Sequence, residues 1–151
     1  SRAWWHAGNA SVAGEPRIKK DFGMDFIQTP DATPPAGHYS QAVRANGFVF
    51  VSGQLGFLPP AGPGVRPVLA ADAAGQTREA LRSVRAILEA AGSSLSSVVN
   101  VTVYIPDVSL WDEVNAVYEA CFGSHRPARA IVPTRELHYG ALVEISVVAV
   151  G

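Results

Sequence analysis

Residues 141–150 read ALVEISVVAV. Taken with the period of two that a strand imposes, Val143, Ile145, Val147 and Ala149 form one wholly apolar side, and Leu142, Glu144, Ser146 and Val148 a mixed one. Residues 98–105, VVNVTVYI, divide in the same way, with Val99, Val101, Val103 and Ile105 set against Val98, Asn100, Thr102 and Tyr104. The apolar sides need a covering layer, and two segments supply it. From Asp72, Ala80, Leu81, Val84, Ile87, Leu88 and Ala91 recur at helical spacing, with Asp72 placed as N-cap and Gly92 as the stop. A second helix spans about Ser109 to Phe122, apolar at Leu110, Val114, Val117, Tyr118, Cys121 and Phe122, and ends at Gly123. Two helices cover one sheet face only. The other face is too apolar for water and too polar for a closed core, which is the composition of a surface shared between subunits, so an oligomer is expected.

Working outward, the remaining strands are expected at Met24 to Thr29, Ser40 to Arg44, Phe48 to Gln54 and Arg126 to Pro133. Asn46-Gly47 is a hairpin signal, because both residues tolerate positive φ. FLPPAGPGVRP (57–67) is a Pro- and Gly-rich loop without a packing pattern, placed to act as the rim of a cleft. The pattern is an α+β domain, a sheet of about six strands with both helices on one face. Residues 1–23 show no period and are read as an N-terminal extension or leader ahead of a domain at 24–151; whether Trp4 and Trp5 dock on the body is open.

The chain has 151 residues, 48% hydrophobic and 17% charged, enough for one domain with a full core. A net charge of -1 without any Lys/Arg run argues against nucleic acid as a partner. No apolar run reaches the ~20 residues that span a bilayer, no membrane association is expected, and a cytoplasmic location is the default. The single cysteine, Cys121, falls within a helical pattern and reads as a small apolar side chain. The four histidines (His6, His38, His125, His138) are scattered, so no metal site is expected. Nucleophile-elbow, Walker-type and dinucleotide-binding glycine motifs are missing as well, and no cofactor is expected.

Two charges stand inside apolar strand patterns: Arg129 in PARAIV (127–132) and Glu144 in LVEISV (142–147). Each is costly to desolvate and needs a partner or a ligand. Two readings are open. The charges bridge each other or line a subunit interface; or a partly buried Arg129 offers its planar fork of donors to a small carboxylic acid, while Glu144 holds a water and moves protons.

Five ordered blocks resemble the RidA/YjgF reactive-intermediate deaminases: GHYSQAV (37–43), FVFVSGQL (48–55), GQTREALRSVRAILEAAG (75–92), VVNVTVYIPD (98–107) and RPARAIVPTRELHYGALVEISVVAV (126–150). The resemblance implies a chorismate-mutase-like fold and a homotrimer with clefts between neighbouring subunits. It implies that Arg129 clamps a substrate carboxylate and Glu144 positions the hydrolytic water, both catalytic. Tyr39 then lines the cleft, Gly53 lets main chain approach the ligand, and Ile131, standing where many members carry cysteine, keeps a backbone contact. His38 replaces a usual proline, and ELHYG (136–140) replaces the common loop between the last two strands. The implied reaction is hydrolysis of enamine or imine carboxylates of the 2-aminoacrylate or 2-iminobutanoate type to 2-oxo acids and ammonia. The alternatives are a pathway-specific enamine acid such as aminomuconate, a small-carboxylate-binding protein without turnover, and, ranked last, RNA cleavage or translation inhibition.

Overall fold

The computed structural model describes residues 17–21 and 23–151. Four antiparallel strands lead, β1 (Arg17–Asp21), β2 (Met24–Gln28), β3 (Ala42–Ala45) and β4 (Phe48–Leu55). Then follow helix α1 (Ala73–Ala90), β5 (Val98–Ile105), helix α2 (Trp111–Phe122), β6 (Ala128–Pro133) and β7 (Glu144–Val150). The sheet order is β1-β2-β3-β4-β7-β5-β6. β5 and β6 run parallel, a pairing that requires a crossover, and α2 supplies it.

The local signals act as chemistry dictates. Asn46 and Gly47 take φ of 50° and 78° in the β3–β4 hairpin. Asp72 Oδ1 accepts the Gly75 N–H at 2.7 Å and caps α1. At the far end Gly92 is left-handed (φ 78°), and the Ser93 N–H donates to Leu88 O at 2.8 Å, absorbing a helix-end carbonyl. Strand bounds are tighter than the sequence suggests, β6 beginning at Ala128 rather than Arg126 and β7 at Glu144 rather than Ala141.

Both helices pack on one face of the sheet, where Val101, Val103, Ile105, Ile145, Val147 and Ala149 meet Leu81, Val84, Ile87, Leu88 and Val114 in the core. The expectation for Val99 is corrected: Val98 is buried and Val99 is exposed. A register shift between Val98 and Asn100 against β7 inserts one residue, and such a bulge moves every side chain before it to the opposite face. The six strands of residues 24–151 are joined by a seventh, β1, which lies inside the segment read as a leader and pairs with the whole of β2. Trp4 and Trp5 lie outside the described residues.

The loop after β4 is more ordered than its composition suggests. A Phe57–Leu69 bridge, with Leu58 N–H donating to Val68 O at 2.8 Å and Ala70 N–H to Gly56 O at 3.0 Å, closes its base. On the face away from the helices, Phe48, Phe50 and Val150 remain exposed beside half-buried Val148 and Tyr104. Among the described residues no helix is long and apolar enough to cross a membrane.

Candidate active site

Glu144 opens β7, opposite Leu55 of β4 and Tyr104 of β5. β4 is irregular here: its register against β7 shifts between Val51 and Gln54, which lifts Ser52 and Gly53 out of the regular ladder beside the Glu144 side chain. A Cβ built on Gly53 would overlap the Glu144 carboxylate oxygen and lie 3.0 Å from its Cδ. The missing side chain is therefore what lets the carboxylate lie against main chain.

That carboxylate lines a cavity of about 360 Å³, bounded also by Tyr39, Gln41, Ser52, Gly53, Phe57, His138, Tyr139 and the Thr33–Ala36 segment. Gln41, fully buried, fixes that segment. Its Oε1 accepts the Thr29 N–H at 2.7 Å, and its amide nitrogen donates to the carbonyls of Thr29, Ala32 and Thr33 at 3.2, 3.4 and 3.1 Å. The Ala36 N–H donates to the Tyr39 hydroxyl at 3.3 Å, which holds the phenol across the loop. Ser52 Oγ donates to Ser40 O at 2.6 Å, and the Ser52 N–H to Gln41 O at 2.9 Å. Gln76 at the start of α1 ties the segments that lead out of β4 and into β7, its side chain donating to Ala70 O at 2.9 Å and accepting the Leu142 N–H at 2.8 Å. Gln41 and Gln76 carried no role in the sequence reading. Their signal was present, since a glutamine in an apolar strand or helix face must find partners, but the partners are invisible without the fold.

Tyr139 is left-handed at φ 61°, unusual for a bulky residue and costing on the order of 1–3 kcal/mol. It stacks on His138 with ring centroids 3.8 Å apart at 14°, and meets Phe57 edge-on at 5.8 Å and 66°.

Arg129 and Ile131 are elsewhere. The register pairs Arg129 with Val101 and Ile131 with Val103, and these in turn with Val147 and Ile145, so both side chains lie on the helix-covered side. Glu144 pairs with Tyr104 and Tyr104 with Val132, on the opposite side. Within one chain the guanidinium and the carboxylate cannot bridge each other. Nor is Arg129 sunk among apolar residues, as the strand pattern led one to expect. It is exposed, because β6 is an edge strand. Its Nη1 donates to Asn115 Oδ1 at 2.8 Å, and its Cζ lies 4.6 Å from the Tyr118 ring centroid and 5.7 Å from that of Trp111. The π faces hold the cation without neutralising it. Burial pushes the Tyr118 phenol up from its ordinary range, against the opposing pull of Arg129. Ile131 packs against the core from the same strand.

The structure thus brings Tyr39, Gly53 and Glu144 into one cavity and sets Arg129 and Ile131 at the sheet edge, on the other side. Among the described residues no Lys or Arg lines that cavity. A larger depression of about 800 Å³, between Gln28–Pro35 and Leu58–Val68, is walled by prolines and small or aliphatic residues, with Arg66 the one charged side chain among the described residues that line it. It offers no acid or base for catalysis. Half-buried Cys121 has its thiol pushed up by desolvation, which makes it a poor nucleophile. Among the described residues no group of three or more His, Cys, Asp or Glu side chains is placed to hold a metal ion.

Comparison with known proteins places this architecture. A family model described as "Endoribonuclease L-PSP" matches residues 29–151. A RutC family protein of Aquifex aeolicus is 44% identical over 84% of this chain and 99% of its own length. The human 2-iminobutanoate/2-iminopropanoate deaminase is 35% identical over 82% of this chain and 88% of its own. The crystal structure of E. coli TdcF with bound serine superimposes with a TM-score of 0.76 at 33% identity, covering 83% of this chain and 98% of that one. On these grounds the chain belongs to the Endoribonuclease L-PSP family, that of the RidA/YjgF proteins, and has their α+β, chorismate-mutase-like fold.

Proposed function

We propose that the protein is an enamine/imine deaminase acting on carboxylates of the 2-aminoacrylate or 2-iminobutanoate type, and that its sites form between copies of the chain in a homotrimer. The observation that carries this reading is the separation of Arg129 from Glu144. Among the described residues, the cavity has a carboxylate set against a glycine backbone and no Lys or Arg, while the Arg129 guanidinium, with no carboxylate partner there, stands at the open sheet edge. A site using both is completed by a second copy that brings its edge strand to the first copy's cavity, and the exposed apolar sheet face supplies a surface for that assembly. The names of relatives support the same chemistry: a human relative is a 2-iminobutanoate/2-iminopropanoate deaminase, and TdcF holds serine, a small amino acid.

In this reading Arg129 fixes the substrate carboxylate bidentately, and its hold on Asn115 and Tyr118 sets the direction of the fork. Water held by Glu144 adds its oxygen to C2 of the iminium. Glu144 takes a proton from that water and passes it to the nitrogen. The C–N bond breaks as Glu144 takes the proton of the new hydroxyl; ammonia leaves with the bonding pair and then takes that proton up, so iminium and water become the 2-oxo acid and ammonium. Such imines hydrolyse unaided, so positioning and proton transfer worth about a hundredfold to ten-thousandfold suffice. No cofactor is called for.

The test couples a serine/threonine dehydratase to the protein and follows decay of the imine. Acceleration that disappears in Arg129→Ala and in Glu144→Gln is expected. Decay unchanged by the wild-type protein, under conditions where a known deaminase accelerates it, removes the reading.

A further inference from the structure

The residue at position 139 has the backbone of a turn glycine and the side chain of a binding residue. At φ 61°, followed by Gly140 at φ 69°, the chain makes a left-handed corner that glycine or asparagine would take without strain. A tyrosine there does nothing for the turn; what it contributes is the position of its ring. That ring is stacked on His138 and touched edge-on by Phe57, and all three residues line the cavity that holds Glu144. Tyr139 still leaves 46% of its surface open. Within one chain the cavity measures about 360 Å³, at the lower end of the range that buries drug-sized molecules. Among the described residues of one chain, no Lys or Arg lines it to receive a second carboxylate.

We infer that the site takes 2-imino acids with a flat, unsaturated or aryl substituent and a single carboxylate, selected by a wall of Phe57, His138 and Tyr139. This rests on the deaminase reading and names its substrate class. The substituent stacks on the open part of the wall while the imine carbon is presented to Glu144; a methyl substituent leaves the wall wet and the cavity part-empty. Apolar pockets discriminate by roughly tenfold to a few hundredfold between substituents that do and do not fill them.

The experiment uses the full chain, with imines generated by an amino-acid oxidase from phenylalanine and from alanine, and measures binding of the stable products phenylpyruvate and pyruvate by calorimetry. Wild type is expected to favour the phenyl member of each pair by about tenfold or more. Tyr139→Gly, which suits the left-handed corner and so should fold with an unchanged or raised Tm, and Phe57→Leu are each expected to shrink that preference at least threefold. Equal binding of the two acids by wild type, or a preference untouched by both substitutions, overturns the inference even if imines are turned over. A phenyl preference in binding that Tyr139→Gly abolishes, with no imine turned over, sustains the aromatic wall and removes the deaminase reading instead.

Discussion

The Glu144 carboxylate rests on the backbone of Gly53, at a point where no β-carbon fits. The obstructing atoms belong to a flexible side chain, so Gly53→Ala should fold normally and expel the carboxylate from its seat. The expected result is a Tm within a few degrees of wild type and a loss of imine turnover of about tenfold to a hundredfold, as for an ångström-scale displacement of a reacting group. Thermal melts and the coupled dehydratase assay check both halves; a fully active Gly53→Ala protein would show that the contact has no bearing on catalysis.

Arg129 and Glu144 project from opposite sides of one sheet, which makes a complementation experiment decisive. Arg129→Ala and Glu144→Gln should each be at least a hundredfold less active alone. Co-refolded, they should recover a measurable fraction of wild-type turnover, because some sites then draw the intact member from each variant. A mixture as inert as its parents, with mixed oligomers verified by mass spectrometry, would mean that one chain carries the whole site.

Phe50 lies on the sheet face away from the helices, opposite Val148, and is 48% exposed in the single chain. Phe50→Glu should therefore leave the fold intact, with a stability change of about 0.5 kcal/mol or less within the protomer. The assembled protein should come apart. Size-exclusion chromatography with light scattering is expected to report a trimer for wild type and a monomer for the variant.

Gln76 joins α1 to both neighbouring loops through two hydrogen bonds of one buried amide. Gln76→Ala strands the Leu142 N–H and the Ala70 carbonyl, and should cost about 1–3 kcal/mol in urea unfolding. A Cβ on Gly56 would overlap the backbone of Gln76 itself, so Gly56→Ala should destabilise to a similar degree, about 1–3 kcal/mol, by prying β4 from the helix.

Local chemistry was readable wherever partner and signal are neighbours in sequence. Asp72 caps a helix three residues away, and Asn46-Gly47 turns between strands that it joins directly. Val99 went to the wrong face because its side is decided by a bulge against β7, about fifty residues on. Arg129 and Glu144 stood out as charges among aliphatic residues. Their mutual geometry did not, because it follows from β7 entering the sheet between β4 and β5 and leaving β6 as an edge. Gln41 and Gln76 were passed over for a related reason: Gln41 gathers groups 8 to 12 residues upstream, and Gln76 receives an N–H from 66 residues downstream.

Under the proposed function, an anchor and a base that leave one sheet in opposite directions make the isolated chain mute. Turnover then depends on how many copies find each other, so it falls faster than concentration once dilution separates them. A cell that halves its supply of this polypeptide near that threshold forfeits more than half of its imine turnover, without a single atom of any site being altered.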